Sequence, residues 1–350
     1  MWQIDNRTPF AAAQGWIRDR RGAEVWLVVV KATFDIRADG TTAVAKEQLE
    51  PVRIPVHVGE PGKSSIRYES DFVLTKATTD LLVVGHAHSP SGSAVQQLDV
   101  AMRVGNVQKV LRVFGDREWG LLGPGEPQPF AKMPLVYERA FGGADKLSAS
   151  PEKDWDWRNP VGCGFAIKSA HLKGLPVPNI ESPEALLRSR NDRPAPVGFG
   201  VVASHWQARA ALAGTYDAKW EATRQPLLPD DCADRFFQCT PTDQQTAQFL
   251  VGGERVVLVN LSPRGLLEFA LPIMALMLES RFSDGERRVH EAPKLHTVIF
   301  EPDETRVSLV WHSALECHAK VHKLDSTRIR WRAPGLNDDD EPVEDLLDLV

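Results

Sequence analysis

The sequence predicts a mainly β protein, with two β-sandwich-like lobes joined by a long irregular segment that carries a few short helices. Three observations predict this class. Residues 25–37, and several runs within 1–114 and 249–334, show the continuous or alternating apolar pattern of strands. Residues 115–164 fit neither a strand period nor a helix period, because glycine, proline and charged residues recur throughout them. Helical patterns are short and few, and an α+β arrangement remains an alternative.

These patterns divide the chain into four parts. We expect an N-terminal β lobe over 1–114, an irregular motif-rich segment with short helices over 115–248, a C-terminal β lobe over 249–334 and an acidic tail over 335–350. The tail carries seven acidic residues and no basic residue, and it ends in leucine and valine. Its composition is typical of a solvated tail, or of a peptide that docks on a partner.

The N-terminal lobe begins with the clearest strand of the chain. Residues 25–37 (VWLVVVKATFDIR) start as an apolar run and end in strict alternation, which predicts a strand buried on both faces at its start. Residues 81–87 form a second apolar run. The alternating run 98–104 is followed by Gly105 and Asn106 and then by the strand-like run 107–114. A Gly-Asn pair at this place predicts a tight hairpin.

Helix and hairpin signals follow in order after residue 164. Ser182, Pro183 and Glu184 form a helix start signal, and the run 204–212 is followed by the stop signal Gly214. Farther on, paired apolar runs flank the loops 262–265 and 301–305. These loops predict two hairpins in the C-terminal lobe.

Composition narrows the classes of function. The chain has 350 residues and a net charge of -6, so a concentrated basic face for nucleic acid is not expected. It shows no secretory signal and no apolar run near the roughly 18 residues of a membrane span. Its four cysteines are scattered without a C-x-x-C pair, which indicates a reducing cytoplasm. We therefore expect a cytoplasmic protein.

Motifs for cofactors and metals are incomplete. Residues 59–64 (GEPGKS) lack the first glycine of a phosphate-binding loop, so we interpret them as a surface turn. His86 and His88 would place two imidazoles on one side of a strand, but no third ligand is evident nearby. Residues 317–322 contain a weaker group of one cysteine and two histidines. We expect neither a cofactor nor a metal.

Catalytic motifs are likewise incomplete, so we assign no catalytic residue. The chain has no G-x-S-x-G element, and Cys163 has no partner nearby in sequence that would mark it as a nucleophile. Carboxylates near aromatic residues leave one enzymatic alternative, a carbohydrate-active hydrolase that uses a pair such as Asp217 and Glu138. The other interpretation is that these carboxylates bond to turn amides and arginines.

The irregular segment concentrates aromatic residues among charges, which suits recognition of a protein partner. The same aromatics would alternatively pin the segment onto the lobes. The candidate partner-binding residues are Trp119, Tyr137, Arg139, Phe141, Trp155, Trp157, Asp217 and Trp220.

Several phrases, in their order along the chain, resemble one protein family. They are NRTPF (6–10), VKATF (30–34), SSIRYESD (64–71), GDREW (115–119), MPL (133–135), YERAFGG (137–143), NPVG (159–162), GTYD (214–217), PLLPD (226–230) and DQQ (243–245). The set is similar to bacterial accessory proteins of type VI secretion, catalogued as a domain of unknown function. The resemblance covers about residues 6–311.

The resemblance implies a cytoplasmic effector adaptor or chaperone. Such a protein would bind a secreted effector, through its N-terminal or spike-tip region, and assist its loading onto the spike protein. The family provides no catalytic residues to carry over. Cys163 occupies a place in the NPVGxG phrase where we expect a larger polar or basic residue, so a required thiol there is not expected.

Overall fold

The computed structural model describes residues 2–332 and consists mainly of strands. The predicted acidic tail, 335–350, lies outside the described residues. The strands are β1 (Gln3–Asn6), β2 (Ala11–Arg18), β3 (Glu24–Ile36), β4 (Thr42–Val44), β5 (Val56–His57), β6 (Ile66–Tyr68), β7 (Asp80–Val83), β8 (His86–His88), β9 (Gln97–Val104), β10 (Val107–Phe114), β11 (Lys132–Pro134), β12 (Phe141–Gly142), β13 (Cys163–Gly164), β14 (Ile180–Glu181), β15 (Arg255–Val259), β16 (Leu266–Ala270), β17 (Ala275–Phe282), β18 (Arg287–Val289), β19 (Lys294–Glu301), β20 (Arg306–Glu316) and β21 (Leu324–Arg332). The α-helices are α1 (Gln207–Ala210) and α2 (Ala218–Thr223).

The longest strand, β3, lies inside a six-stranded sheet. The sheet has the order β2-β3-β20-β19-β7, with β4 paired to β3. β3 pairs antiparallel with β20 from Asp35 opposite Arg306 to Val25 opposite Glu316. Its side chains from Val25 to Phe34 are buried on both faces, as the continuous apolar run predicts.

The three large sheets are each built from both ends of the chain. A five-stranded sheet has the order β14-β10-β9-β15-β16, and a four-stranded sheet has the order β1-β21-β17-β18. Strands from 1–114 and from 249–332 therefore share each of these sheets, whereas the sequence predicts a separate lobe for each segment. The physical reason is that a buried strand must pair along both of its edges, and β3 obtains its second partner from β20.

Local predictions are mostly confirmed. The class is mainly β, and β9 and β10 form the hairpin at the Gly-Asn turn, with Val104 opposite Val107. The hairpins β15–β16 and β19–β20 form at the expected loops. The prediction of a helix that starts at Ser182 is wrong. The Leu187 amide donates to the Glu181 carboxylate at 2.8 Å and not to a carbonyl of a helical turn. Among residues 2–332, no helix combines the length and the apolar character that a membrane crossing needs.

The irregular segment is held by a cluster of glycines around the buried Asn159. The side-chain amide of Asn159 donates to the carbonyls of Tyr137 at 2.9 Å and Phe141 at 3.0 Å. The backbone carbonyl of Asn159 accepts the Gly143 amide at 2.8 Å. A Cβ atom on Gly143 would lie 2.2 Å from the carbonyl oxygen of Gly162, and its φ is +86°. Glycine at 143 therefore permits both the turn and the contact.

His290, His296 and His312 are buried histidines that lie within or next to strands of the sheets. His296 and His312 stack with ring centroids 4.4 Å apart, and burial lowers the pKa of both, that of His312 to about 4. His290 bridges the hydroxyls of Ser280 and Ser313, and burial lowers its pKa to about 4. These rings are therefore neutral in the folded protein at neutral pH.

We expect Gly143→Ala to lower the free energy of unfolding by about 3 kcal/mol, because left-handed strain and overlap with Gly162 add. Gly62→Ala is the matched control: its φ is +80°, and no atom lies within 4 Å of an added Cβ. Urea unfolding of both variants gives the difference. Equal losses of unfolding free energy in the two variants would contradict a requirement for close packing at Gly143.

We also expect stability to fall as the pH drops from about 7 to about 4. The folded pKa of His312 is about 4, whereas the unfolded chain protonates histidine near pH 6.5, so the unfolded state binds more protons in this window. His312→Phe should remove about 3 kcal/mol of this loss, measured as urea midpoints at several pH values. His318→Asn, at an exposed position, should leave the pH dependence unchanged. A pH dependence that His312→Phe does not alter would contradict the assignment.

Candidate functional site

The candidate partner-binding residues lie in two different environments. Trp119, Tyr137 and Phe141 are buried. The others reach the surface to different degrees, and Trp157 is the most exposed aromatic among them, at 57%. The burial of the first three supports the alternative role of pinning the irregular segment.

Trp119 anchors a loop whose tip is apolar. It belongs to a small core with Phe141 and Leu172, separate from the main core. Its amide donates to the Leu175 carbonyl at 2.9 Å, which fixes the base of the loop. The tip consists of Leu121 and Leu122, which are 80% and 94% exposed. Exposed adjacent leucines on an ordered loop are unusual for a surface with no partner.

Arg139 lies in a polar cleft of about 760 Å³ that also contains Asp116, Glu118 and Glu138. Its guanidinium donates to Asp116 and to Asn179, each at 2.9 Å. Hydrogen bonds from Asn179 and Arg139 hold the pKa of Asp116 below its usual value. The cleft therefore presents ionised groups of both signs to solvent.

A buried ion pair supports one wall of this cleft. Arg117 contacts the Glu181 carboxylate, and its guanidinium lies 3.8 Å from the centroid of the Phe114 ring. Burial raises the pKa of Glu181, and the charge of Arg117 offsets part of this rise. Cys163 lines the same cleft, and burial raises its pKa to about 12, so it carries a thiol and not a thiolate.

The irregular segment displays a stacked tryptophan pair. The rings of Trp155 and Trp157 have centroids 4.0 Å apart and an interplanar angle of 32°. Between them, Asp156 accepts two hydrogen bonds from the Arg158 guanidinium and donates its amide to Gly143 at 2.9 Å. The backbone that carries the pair is therefore hydrogen-bonded to the glycine cluster around Asn159.

Asp217 and Trp220 form the start of α2. The Asp217 carboxylate accepts the Trp220 amide at 2.8 Å, which caps the helix. Trp220 packs edge-on against Tyr216 at 4.7 Å and donates its indole N–H to the Leu227 carbonyl. Tyr216 is 53% exposed, so this pair also offers an aromatic edge to solvent.

The carboxylates of the hydrolase alternative do not line a common cavity. Glu138 lines the polar cleft and accepts both the amide and the hydroxyl of Ser65 at 2.7 Å. Asp217 does not line that cleft and is bound as a helix cap. The structure therefore gives both groups the turn-stabilising role that the sequence left open.

His86 and His88 lie on one side of β8, as the sequence predicts, but both bind Asp303. Within residues 2–332, no group of three or more histidine, cysteine, aspartate or glutamate side chains is arranged so that it could hold a metal ion. Residues 59–64 form the predicted surface turn, which the Ser64 hydroxyl closes by bonding the Gly59 amide.

Sequence reasoning missed Leu121 and Leu122. The available signal was a pair of leucines between two glycines, inside a segment already identified as irregular surface. It also missed Asp303, because the sequence separates this residue from His86 by more than two hundred positions.

Comparison with known proteins gives one match. No curated protein and no solved structure is significantly similar to the chain. The model of one bacterial family, DUF2169, matches residues 21–312. Its description names no secretion pathway, so the link to type VI secretion remains a prediction. The chain belongs to the DUF2169 family, described as uncharacterized proteins conserved in bacteria.

Proposed function

We propose that the protein is a cytoplasmic adaptor or chaperone that binds a type VI secretion effector and assists its loading onto the secretion spike. The single observation that carries the proposal is the exposed ring of Trp157, which packs against the half-buried Trp155 with ring centroids 4.0 Å apart. The sequence resemblance implies the kind of partner: an effector, bound through its N-terminal or spike-tip region, and the spike protein.

A stacked tryptophan pair suits protein recognition for an energetic reason. Trp157 has two χ angles and a large apolar surface, so its contact area costs little conformational entropy on binding. Trp155 supports its ring, and the Asp156 contacts with Arg158 and Gly143 fix the backbone between them. A preorganised anchor of this kind loses little freedom when a partner covers it.

The leucine tip at Leu121 and Leu122 supports the same proposal. Its base is fixed by Trp119 inside the small core, while the two leucines remain in solvent. An effector segment with exposed apolar side chains would shield them there, which is the action expected of a chaperone. The charged groups of the polar cleft would then contribute orientation more than affinity.

The proposal predicts a stable complex with an effector. Co-expression with an effector encoded beside the gene for this chain should raise the soluble yield of that effector and give co-purification. Deletion of the gene should reduce secretion of that effector. Unchanged effector stability and unchanged secretion after deletion would overturn the proposal.

We expect Trp157→Ala to weaken effector binding by about 2 kcal/mol, roughly thirtyfold in Kd, because it removes a central aromatic anchor. Isothermal titration measures the change. Trp16→Ala is the matched control, since Trp16 is 41% exposed on β2, away from the irregular segment. Equal losses in both variants would show that the pair has no special role.

We expect the double change Leu121→Ser and Leu122→Ser to weaken effector binding about tenfold while the urea midpoint stays constant, because the two side chains contact solvent in the free protein. Val289→Ser, at a position that is 76% exposed, is the control. A full-affinity double variant would remove the leucine tip from the binding surface.

A further inference from the structure

A second cavity shares no lining residue with the polar cleft. It has a volume of about 210 Å³, and its walls are mostly apolar. Ile66, Val84, Leu135 and Val136 supply apolar lining, and the buried Tyr137 also contributes. The strands β6, β8 and β11 border it, together with the turn that joins β19 to β20. A cavity of this size accommodates a single aromatic ring with a small substituent.

One imidazole is among the polar groups that line this cavity. His86 lines it, and its Nδ1 lies 2.6 Å from Oδ2 of Asp303. His88 lies behind, with its Nε2 2.6 Å from the other carboxylate oxygen of Asp303. Register explains the arrangement, because residues two apart on β8 point to the same face and Asp303 lies in the turn before β20.

The carboxylate determines which proton the imidazole carries. Burial alone would raise the pKa of Asp303, but the hydrogen bonds from His88 and His86 outweigh it, and the pKa lies below its usual value. An ionised carboxylate only accepts hydrogen bonds, so Nδ1 of His86 is the protonated nitrogen. In the neutral ring, Nε2 is then an acceptor, and it has no hydrogen-bond partner within residues 2–332.

The charges around the opening select the kind of ligand. Glu301 and Glu304 line the cavity beside Asp303, while Arg67 is its principal cation. Glu301 is already paired with Arg306 through two hydrogen bonds of 2.8 and 3.0 Å. Asp303 is held by both histidines, and the Lys132 ammonium lies 3.8 Å from its Oδ2, so these carboxylates already have partners. The apolar walls disfavour a charged or strongly hydrated group. A neutral aromatic group with one hydrogen-bond donor satisfies both the walls and the free nitrogen.

We propose that this cavity binds a phenol, whose ring fills the apolar space and whose hydroxyl donates to Nε2 of His86. Asp303 acts as a positioning residue that fixes the tautomer of the imidazole. The phenol has two sources, a free small molecule or a tyrosine side chain of a protein partner. The proposal does not depend on effector binding at the tryptophan pair, because the two sites share no lining residue.

Toluene and two of its para-substituted derivatives test the chemistry in the full-length protein. p-Cresol offers a donor, toluene offers none, and p-toluate offers only a charged acceptor. Titration of protein labelled with ¹⁵N in histidine follows the Nε2 resonance of His86. We expect p-cresol to bind about fivefold more tightly than toluene and to shift this resonance, since one hydrogen bond distinguishes them. p-Toluate should bind more weakly than either.

Variants separate the hydrogen bond from mere filling of the cavity. His86→Phe should bring the affinity ratio of p-cresol to toluene to about one, because the acceptor is lost. Asp303→Asn should change the ¹⁵N shifts of His86 and reduce the ratio without removing the ring. His318→Asn, at an exposed position, should preserve the ratio.

Two outcomes would overturn the proposal: equal affinities of p-cresol and toluene for the unmodified protein, or a preference for p-cresol that persists in His86→Phe. N-acetyltyrosinamide distinguishes the sources. Tighter binding than p-cresol assigns the site to a tyrosine side chain, and weaker binding assigns it to a free phenol; either result supports the cavity as a phenol site.

Discussion

The pairing of β3 with β20 is the constraint on which the rest of the fold depends. A strand buried on both faces must satisfy every backbone N–H and C=O group within the sheet, because no water reaches them. β3 obtains these bonds from β2 on one side and from β20, nearly three hundred residues later, on the other. Once β3 and β20 pair, segments from near both ends of the chain lie beside each other. The residues between these two strands then form one long connection.

Within this connection, the irregular segment 115–248 is stabilised mainly by side-chain hydrogen bonds, because its strands and helices are short. Asn159, Asn179 and Glu181 each bond backbone groups that a helix or strand would otherwise satisfy. Such bonds fix an irregular backbone at one conformation. They also explain why the exposed Trp157 and the leucine tip are held in place although they contribute little to the core. An irregular backbone can hold surface side chains in fixed positions when the hydrogen bonds that support this backbone are buried.

The sequence predicts what is local and fails where distant residues decide. Strands, hairpins and the irregular segment were predictable because turn chemistry and alternation lie within ten residues of each other. The sequence did not predict that strands from both ends share the sheets, because no local pattern identifies β20 as the partner of β3. Trp119 and Trp157 occur in similar surroundings of charge and glycine, yet one is buried and the other exposed. Only the packing of Leu172 and Phe141 separates them. The helix at Ser182 does not form because the Glu181 carboxylate accepts the Leu187 amide, and this carboxylate is itself held by Arg117, which is distant in sequence.

The parallel pair of β1 and β21 joins residues Gln3–Asn6 to residues 326–329. A ribosome must therefore synthesise almost the whole chain before the first strand has its neighbour. Until then β1, β2 and β3 expose edges that invite wrong pairing between nascent chains. The sheet that contains β1 is therefore completed only after residue 329 has been synthesised.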